Sequence, residues 1–347
     1  MANASVGVTQ PVETIEIAGQ AVPRRYGAVA DEYHAAHAGA VAIWRNHEGR
    51  VRAVGRDRLD LLHRMSTNDL LSLPAGQVRP TVLTTPIARI IDQLWVLNRG
   101  ETVLCLTSPG RATAVRRWLA GYIFYNDQVK FVDAGTELGQ LGLYGPWAGT
   151  IAEALQPGAA GLPENHFLDA AADAPTGEQL VLRTRPLAGD GFTIIAPVAR
   201  LEALWSAALA AGAVPAGEDA YQLLRLEAGQ PGNPELTEDY IPLEANLWPA
   251  VDFHKGCYIG QEIIARMESR GKLARRLAGL RLAAPVAAGA EVRAAEGAAP
   301  AGTVTSAGEL PGLGPVALAY LKTAQADVGT KVTAGEVAGE VVPLPFA

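Results

Sequence analysis

The chain changes character after Arg276, and that change is the feature that most constrains its fold. From there on, short strand-like segments are separated by Gly and Pro turns at intervals of about ten residues. The segments are Leu280–Leu282, Glu291–Arg293, Thr303–Thr305, Val316–Ala319 and Lys331–Val342. Evenly spaced short strands are typical of small antiparallel barrels, so we predict a C-terminal β-barrel of about 70 residues.

Upstream of this region, helical and strand patterns are mixed. Helical periodicity is found at Asp57–Leu70, Arg111–Leu119, Trp147–Leu155, Val198–Ala211 and Ala220–Glu227. Val41–Trp44 and Val51–Val54 predict a short hairpin with Asn46–Gly49 as its turn. The Pro-, Gly- and Ala-rich stretch Gln156–Pro175 is predicted to be a linker.

The length of 347 residues and the hydrophobic content of 49% indicate several packed domains and exclude global disorder. We expect an extended N-terminal segment over residues 1–25, a core over 26–271 and the barrel over 272–347.

The formal net charge of −7 argues against a protein that coats nucleic acid. Two cysteines, Cys105 and Cys257, cannot build a disulfide scaffold, and the six histidines show no zinc-site spacing. Cys105 lies inside a strand pattern and is predicted to be core. The N-terminus lacks a signal-peptide pattern and no apolar run is long enough to span a membrane, so we expect a cytoplasmic protein.

Residues 255–262 read Lys-Gly-Cys-Tyr-Ile-Gly-Gln-Glu and carry the strongest chemical signal. A helical pattern follows, so Cys257 is expected at or just before a helix N-terminus, where the dipole and Lys255 would favour its thiolate. The segment from Lys255 to Arg276 has a net charge of +4, which suggests an anionic ligand. The alternative is a buried, inert Cys257 beside a solvated basic face. His254 offers a further alternative, a Cys–His nucleophile pair.

This octapeptide resembles the K-G-C-Y-x-G-Q-E signature of the YgfZ family of folate-binding proteins. That family shares a superfamily with the aminomethyltransferase (T protein) of the glycine cleavage system. The resemblance extends to a T-N-D segment, a G-P turn, an R-L-E-A-G segment and a P-x-E-A-x-L segment. In this chain they are Ser66–Asp69, Tyr144–Pro146, Leu224–Gly229 and Ile241–Leu247.

The resemblance implies an α+β fold with two intertwined subdomains, at about 26–155 and 176–271, around a central channel that holds tetrahydrofolate, plus a smaller barrel. It implies a tetrahydrofolate-binding protein that supports iron–sulfur cluster assembly or repair in client enzymes. Folate and iron–sulfur client or assembly proteins would be its partners, with no direct contact to nucleic acid or membrane. The thiol would either ligate a transient cluster iron or undergo redox chemistry with a partner. No permanent metal site is expected.

The resemblance also assigns residues. Cys257 would be the functional thiol, shaped by Lys255 and Tyr258. The motif would be supported by Gly256 and Gly260, which would give the backbone geometry because glycine permits a tight turn or the close approach of another backbone. Gln261 and Glu262 would support the loop and cap the helix. The residues expected to bind the cofactor are Asn68, Asp92, Arg225, Glu227 and Trp248. For Arg225 and Glu227 a structural ion pair is the alternative role.

The chain departs from the transferases of the superfamily at two places. Their G-G-x-x-D-D-L-x-V stretch reads Ala88-Arg-Ile-Ile-Asp-Gln-Leu-Trp-Val96 here, so Gln93 replaces the second acid. Thr193 stands where they carry a pterin-binding glutamate. Both changes disfavour aminomethyl transfer, because neither side chain can hold a negative charge. A tetrahydrofolate-dependent aminomethyltransferase or demethylase-like enzyme remains the competing hypothesis.

Overall fold

The structure, a computed structural model, describes residues 10–171, 178–271, 273–294 and 299–346. The start of the predicted N-terminal segment, the end of the predicted linker and Lys272 lie outside the described residues. The chain forms two compact units. Unit 1 comprises the chain up to Arg58, Ser72–Arg79 and Trp95–Gln222, and unit 2 comprises Leu59–Leu71, Pro80–Leu94 and the chain from Leu223 onward.

The described residues form the following strands and helices. The strands are β1 (Glu13–Ile17), β2 (Gln20–Arg25), β3 (Val41–Trp44), β4 (Gly49–Val54), β5 (Val78–Thr84), β6 (Ile90–Asn98), β7 (Thr102–Thr107), β8 (Lys130–Asp133), β9 (Leu138–Gly145), β10 (Phe167–Ala170), β11 (Gln179–Thr184), β12 (Asp190–Pro197), β13 (Val214–Ala216), β14 (Arg275–Leu282), β15 (Glu291–Ala294), β16 (Pro300–Leu310), β17 (Gly314–Lys322), β18 (Lys331–Ala334) and β19 (Val337–Val342). The helices are α1 (Val29–Ala38), α2 (Arg58–Met65), α3 (Ala112–Ala120), α4 (Ala148–Leu155), α5 (Leu201–Ala210), α6 (Glu218–Glu227) and α7 (Gln261–Arg270).

A six-stranded sheet with the order β10-β11-β12-β9-β3-β13 organises unit 1. Its strands are antiparallel except for β3 and β13, which run parallel. Helices α4 and α5 contact β9, and apolar residues such as Ile151, Phe192 and Trp205 form one buried cluster. The strand β10 lies inside the predicted linker. It is an edge strand of this sheet, and the side chains of Phe167 and Ala170 are buried.

The predicted hairpin of Val41–Trp44 with Val51–Val54 is wrong. The strand β3 belongs to the six-stranded sheet, whereas β4 belongs to a second sheet with the order β5-β6-β7-β4-β8. Each of the two strands is almost entirely buried and takes two other neighbours, β9 and β13 for β3, and β7 and β8 for β4. A strand that is paired along both edges has no edge left for its neighbour in sequence.

The C-terminal region forms the predicted barrel. Strands β14 to β19 close in the order β14-β17-β16-β15-β18-β19, with every pair antiparallel. Inward-facing residues such as Leu280, Val292, Val304 and Val341 make the buried core of the barrel. Closure satisfies the strand edges, so this small core needs no covering sheet. The barrel belongs to unit 2, together with α2 and α7.

Candidate functional site

The motif that the sequence singles out lies in unit 2, in an irregular stretch that ends where α7 begins at Gln261. Cys257 is exposed, four residues before that helix. Cys105 is fully buried in β7, and burial raises the pKa of its thiol to about 12. The predicted division into one core thiol and one exposed thiol is therefore confirmed, and the buried alternative for Cys257 does not apply.

The Lys255 ammonium is held by backbone oxygens. Its Nζ donates to the carbonyl oxygens of His63 at 2.5 Å, Ser66 at 2.7 Å and Asn68 at 2.8 Å. An ammonium carries three N–H donors, so these carbonyls account for all of them. Burial lowers the pKa of Lys255 to about 8, against the opposing effect of nearby carboxylates. Where the sequence suggested a direct effect on the thiol, the geometry shows a contact with the backbone.

Asp252 organises the approach to the motif. Its Oδ1 accepts the backbone N–H of His254 at 2.7 Å and that of Lys255 at 3.1 Å, while its own N–H donates to the Thr67 carbonyl at 2.9 Å. The sequence analysis missed this residue, although an aspartate two residues before the turn is the usual signal of such a side-chain-to-backbone bond. Among the described residues, His254 makes no hydrogen bond to Cys257, so the Cys–His pair gains no support.

Gly260 fastens the other side of the motif. It has a φ of +85°, and a Cβ there would lie 2.8 Å from Thr84 Oγ1 and 3.0 Å from both Ala88 Cα and the Thr85 carbonyl oxygen. Thr84 Oγ1 in turn donates to the Ile259 carbonyl at 2.7 Å. The motif backbone therefore packs directly on the turn between β5 and β6, where only a glycine fits. This is the close approach that the sequence suggested for Gly260.

The turn itself and the second glycine differ from expectation. Ala88 is fully buried and has a φ of +61°, a left-handed conformation that glycine adopts at lower cost. It occupies a position where the resembling transferases have glycine. Gly256, in contrast, has an ordinary φ and would place a Cβ in open space. Its predicted role in backbone geometry is therefore not supported by a close contact.

Tyr258 packs against an apolar cluster of unit 2. This cluster includes Ile264 and Val251. Burial raises the pKa of Tyr258 to about 12, and the Lys255 ammonium lies 5.0 Å from its ring centroid, a cation–π distance. Tyr258 therefore contacts the lysine directly, as the sequence analysis grouped them.

Gln261 and Glu262 do not cap α7 in the way that was predicted. Gly260 is the N-cap and no side chain bonds to the first turn of the helix. Gln261 Oε1 accepts the Tyr258 N–H at the long distance of 3.4 Å, which gives the loop modest support. Glu262 is exposed in the first turn, where a negative charge is favoured by the helix dipole.

Comparisons with known proteins agree on one family. The profile described as GCVT N-terminal domain matches residues 6–255, and the profile described as glycine cleavage T-protein C-terminal barrel domain matches residues 275–347. The chain belongs to the glycine cleavage T-protein family. The α+β fold with a terminal barrel, predicted from sequence, is the fold of this family and is confirmed.

Named T-protein relatives cover nearly the whole chain. An aminomethyltransferase from Rubrobacter xylanophilus is 33% identical over 346 residues, 96% of this chain and 90% of the relative. A chloroplastic putative transferase from Arabidopsis thaliana is 33% identical over 314 residues, 89% of this chain and 71% of the relative. The crystal structure of the glycine cleavage system aminomethyltransferase T from Bartonella henselae matches with a TM-score of 0.86 and 26% identity, covering 96% and 94% of the two chains. The finer YgfZ assignment stays a prediction.

The T-protein R-L-E-A-G arginine is engaged inside unit 2. Arg225 Nη1 donates to Glu235 Oε2 at 3.1 Å and to the Gln230 carbonyl at 2.7 Å, and Nη2 donates to Ser306 Oγ at 2.9 Å. The Arg225 and Glu235 side chains are 5% and 0% exposed. Of the two roles considered for Arg225, the structural ion pair matches this geometry, with Glu235 rather than Glu227 as its partner. Glu227 accepts a backbone bond from Phe346 through its carbonyl.

The T-N-D asparagine is also used internally. The Asn68 amide donates to the carbonyls of Pro80 at 2.8 Å and Pro249 at 3.1 Å, and its side-chain oxygen accepts the Asp69 N–H at 2.9 Å. Its side chain therefore joins three segments of unit 2. Both amide donors are used, so the predicted contact of Asn68 with folate is left to the second lone pair of Oδ1.

Three further predicted positions differ in their surroundings. Asp92 is 1% exposed in the middle of β6, and the next residue, Gln93, buries an Nε2 that has no hydrogen-bond partner among the described residues. Thr193 is 4% exposed in β12 of unit 1. Trp248 is 43% exposed and lies 6.0 Å from Phe253, measured between ring centroids. The Trp248 ring is thus open to a further contact, whereas the Gln93 Nε2 is a buried donor without an acceptor among the described residues.

A buried polar cluster in unit 1 was not foreseen. Arg45 Nη1 donates to Glu218 Oε2 at 2.5 Å and its Nε donates to Glu48 Oε1 at 2.9 Å, while its guanidinium lies 3.6 Å above the Tyr221 ring. His47 is 2% exposed, and burial lowers its pKa to about 4. The sequence analysis places Asn46–Gly49 in a hairpin turn, and a turn pattern carries no signal of a buried cluster.

The described residues contain neither a cluster of metal ligands nor a membrane-spanning helix. Within them, no three His, Cys, Asp or Glu side chains gather into a group able to hold a metal ion. No helix formed by the described residues is both long and apolar enough to cross a membrane.

Proposed function

We propose that this T-protein family member binds tetrahydrofolate and uses the Cys257 thiol to support iron–sulfur cluster assembly or repair in client enzymes. Family membership supports the folate half of the proposal, since the aligned relatives are aminomethyltransferases. The observation that carries the thiol half is the exposure of Cys257 between two anchored stretches of backbone. A thiol presented on a fixed loop is accessible to a macromolecular partner, whereas a packing cysteine would be buried.

The charge of the segment that contains Cys257 suits an anionic partner or cargo. Residues 255–276 carry a net charge of +4 in an otherwise acidic chain, and Arg266 on α7 is exposed. One thiolate supplies one ligand of the four that iron–sulfur clusters usually require. The other ligands would therefore come from the client or from an assembly protein, and the cluster is treated as cargo that passes through the site.

Gln93 of unit 2 is the candidate for a polar contact with folate. The buried Gln93 Nε2 is a donor in need of an acceptor, and the polar edge of a pterin carries carbonyl and ring-nitrogen acceptors. We propose that Gln93 donates to such an atom, with the exposed ring of Trp248 providing an apolar face. Tetrahydrofolate itself would supply nitrogen atoms able to carry a one-carbon group. In this proposal Arg225 and Asn68 act indirectly, by holding the loops of unit 2.

The second candidate function is aminomethyl transfer to tetrahydrofolate. It is favoured by the names of the relatives and by the retention of Asp92, which is buried in β6. The substitutions at Gln93 and Thr193 oppose it, because an amide and a hydroxyl cannot replace carboxylates in charge stabilisation or proton transfer. The two candidates therefore depend on different side chains, Cys257 in the first and Asp92 in the second.

The test replaces each side chain separately in cells that lack the native protein. The variants are Cys257→Ala, Asp92→Asn and Cys105→Ala, the last as a matched thiol control. We expect Cys257→Ala to abolish the activity of iron–sulfur client enzymes, while the purified variant still folds and binds tetrahydrofolate, and Cys105→Ala to restore that activity. Full rescue by Cys257→Ala would overturn the thiol proposal. An aminomethyltransferase turnover lost in Asp92→Asn and kept in Cys257→Ala would establish the second candidate instead.

A further inference from the structure

The carbonyl oxygen of His63 in the last turn of α2 has no partner within the helix, and the carbonyls of Ser66 and Asn68 follow just after the helix. The helix ends at Met65, and the N–H of Thr67, which would continue it, donates to Val82 instead. The next N–H groups also turn away, that of Asn68 to Thr81 Oγ1 and that of Leu70 to His63 Nδ1. Carbonyls at a helix end need donors from elsewhere, and a cation is favoured there by the helix dipole.

The Lys255 ammonium fills this need from 192 positions away in the chain. It donates to the carbonyl oxygens of His63, Ser66 and Asn68, so a single ammonium group binds three carbonyls. The Asp252 N–H donates to the Thr67 carbonyl, so the backbone just before Lys255 is also bonded to the segment that follows α2. Residues 252–255 are therefore docked on the end of α2 by side chain and main chain together.

The motif is fastened again three residues after Cys257. The Ile259 carbonyl accepts from Thr84 Oγ1, and Gly260 lies against the turn that contains Ala88. Cys257 thus sits on a short span of backbone between two docking points. Because all three donors of Lys255 are used by carbonyls, none is left to donate to a thiolate two residues away.

We infer that Lys255 is a positioning residue, which fixes the backbone that presents Cys257. It does so by donating to the carbonyl of His63 at the end of α2 and to those of Ser66 and Asn68 just after it. This inference rests on the proposed function for the meaning of the presented thiol, but it concerns the loop alone. The tetrahedral ammonium suits three carbonyls that converge on one point, whereas the planar fork of a guanidinium spreads its donors. Charge alone is therefore insufficient, and the donation geometry is required.

The experiment uses the purified full-length protein without client or folate. Amide hydrogen exchange over residues 252–260 and the pH profile of Cys257 alkylation by iodoacetamide are measured for Lys255→Met and Lys255→Arg. We expect exchange in this stretch to rise about tenfold or more in Lys255→Met, because its docking is lost, with the alkylation midpoint unmoved. We expect Lys255→Arg to exchange faster than the wild type as well. Lys331→Met, which removes an exposed lysine paired with Glu340, is the matched control and should change neither readout.

Three outcomes would overturn the inference. Unchanged exchange in Lys255→Met would show that the lysine does not position the loop. An upward shift of the alkylation midpoint would show that it acts on the charge of the thiol. Wild-type exchange in Lys255→Arg would show that charge suffices, and this variant decides the matter alone if Lys255→Met does not fold. Because no client activity is measured, failure of the inference is distinguishable from failure of the proposed function.

Discussion

Arg225 and Glu235 form an ion pair, 3.1 Å from nitrogen to oxygen, at a place where neither side chain is more than 5% exposed. Glu235 also accepts from Ser306 Oγ at 2.6 Å and from the Gly232 N–H at 2.8 Å. The pair therefore joins α6, the loop that follows it and the barrel strand β16. A residue that the family motif suggests for ligand binding is here part of the framework of unit 2.

Arg225→Met is expected to destabilise the fold strongly. It removes one partner of a buried pair and leaves the Glu235 carboxylate unpaired, which costs about 3–5 kcal/mol. Urea denaturation would measure the free energy of unfolding. The control is Lys331→Met, whose exposed pair with Glu340 is expected to contribute no more than about 1 kcal/mol. A stable Arg225→Met that loses folate affinity would restore the ligand role of Arg225.

Replacing each of the two motif glycines by alanine is expected to change the stability of the fold to different extents. In Gly260→Ala the new Cβ meets atoms at 2.8–3.0 Å and the backbone has a φ of +85°, so a loss of about 1–3 kcal/mol is expected. Gly256→Ala meets nothing within 4 Å and should stay within about 0.5 kcal/mol of the wild type. Thermal unfolding of the two variants side by side measures the difference. Equal effects would contradict the packing described for Gly260.

The sequence predicted elements well where the pattern was local. The barrel strands, α3 and α4 follow from periodicity and turn residues within about ten positions. The prediction of a hairpin of β3 with β4 was wrong because these strands pair with strands far away in the chain. The strand β3 pairs with β9, and β4 pairs with β7. Such pairing depends on which edges are free in the folded sheet, and a local pattern carries no record of that.

One thiol of the native protein is expected to react. Cys257 is exposed, while Cys105 is buried in β7 with its pKa raised to about 12. Titration with a thiol reagent at neutral pH should therefore label one cysteine per chain, and two after addition of denaturant. Mass spectrometry of Cys257→Ser, in which the native reaction should disappear, identifies the labelled residue. Rapid labelling of Cys105 in the folded protein would contradict its burial.

His47 is expected to make stability fall on acidification. Its pKa is about 4 in the folded protein and about 6.5 when unfolded, so the unfolded chain binds the extra proton between these values. Its contribution is complete above pH 6.5 and is lost toward pH 4, at up to about 1.4 kcal/mol per pH unit. Urea denaturation at pH 7 and pH 5 should show a smaller pH difference for His47→Gln than for the wild type. An identical pH difference in both proteins would contradict a buried neutral His47.

The candidate site was predictable in its residue types and not in its contacts. The motif identified Cys257, and exposure could be argued from its setting between Gly and Tyr. The true partners of Lys255 and Gly260 could not be predicted, because they lie at residues 63–68 and 84–88, more than 150 positions earlier. The sequence predicted an effect of Lys255 on the thiol because the two residues are neighbours in the chain. In the folded protein, the Lys255 ammonium instead contacts backbone carbonyls at residues 63–68.

The long span bridged by Lys255 also sets an order of events during synthesis. The carbonyl of Asn68 leaves the ribosome 187 residues before the lysine that will bind it. Until then, the end of α2 lacks its cation, and Cys257 has not been made. The loop that presents the thiol therefore takes its shape late, after residues 252–260 have joined the segments at residues 63–68 and 84–88 on which they dock. A chain that ends before Cys257 cannot display a reactive thiol at this site to a partner.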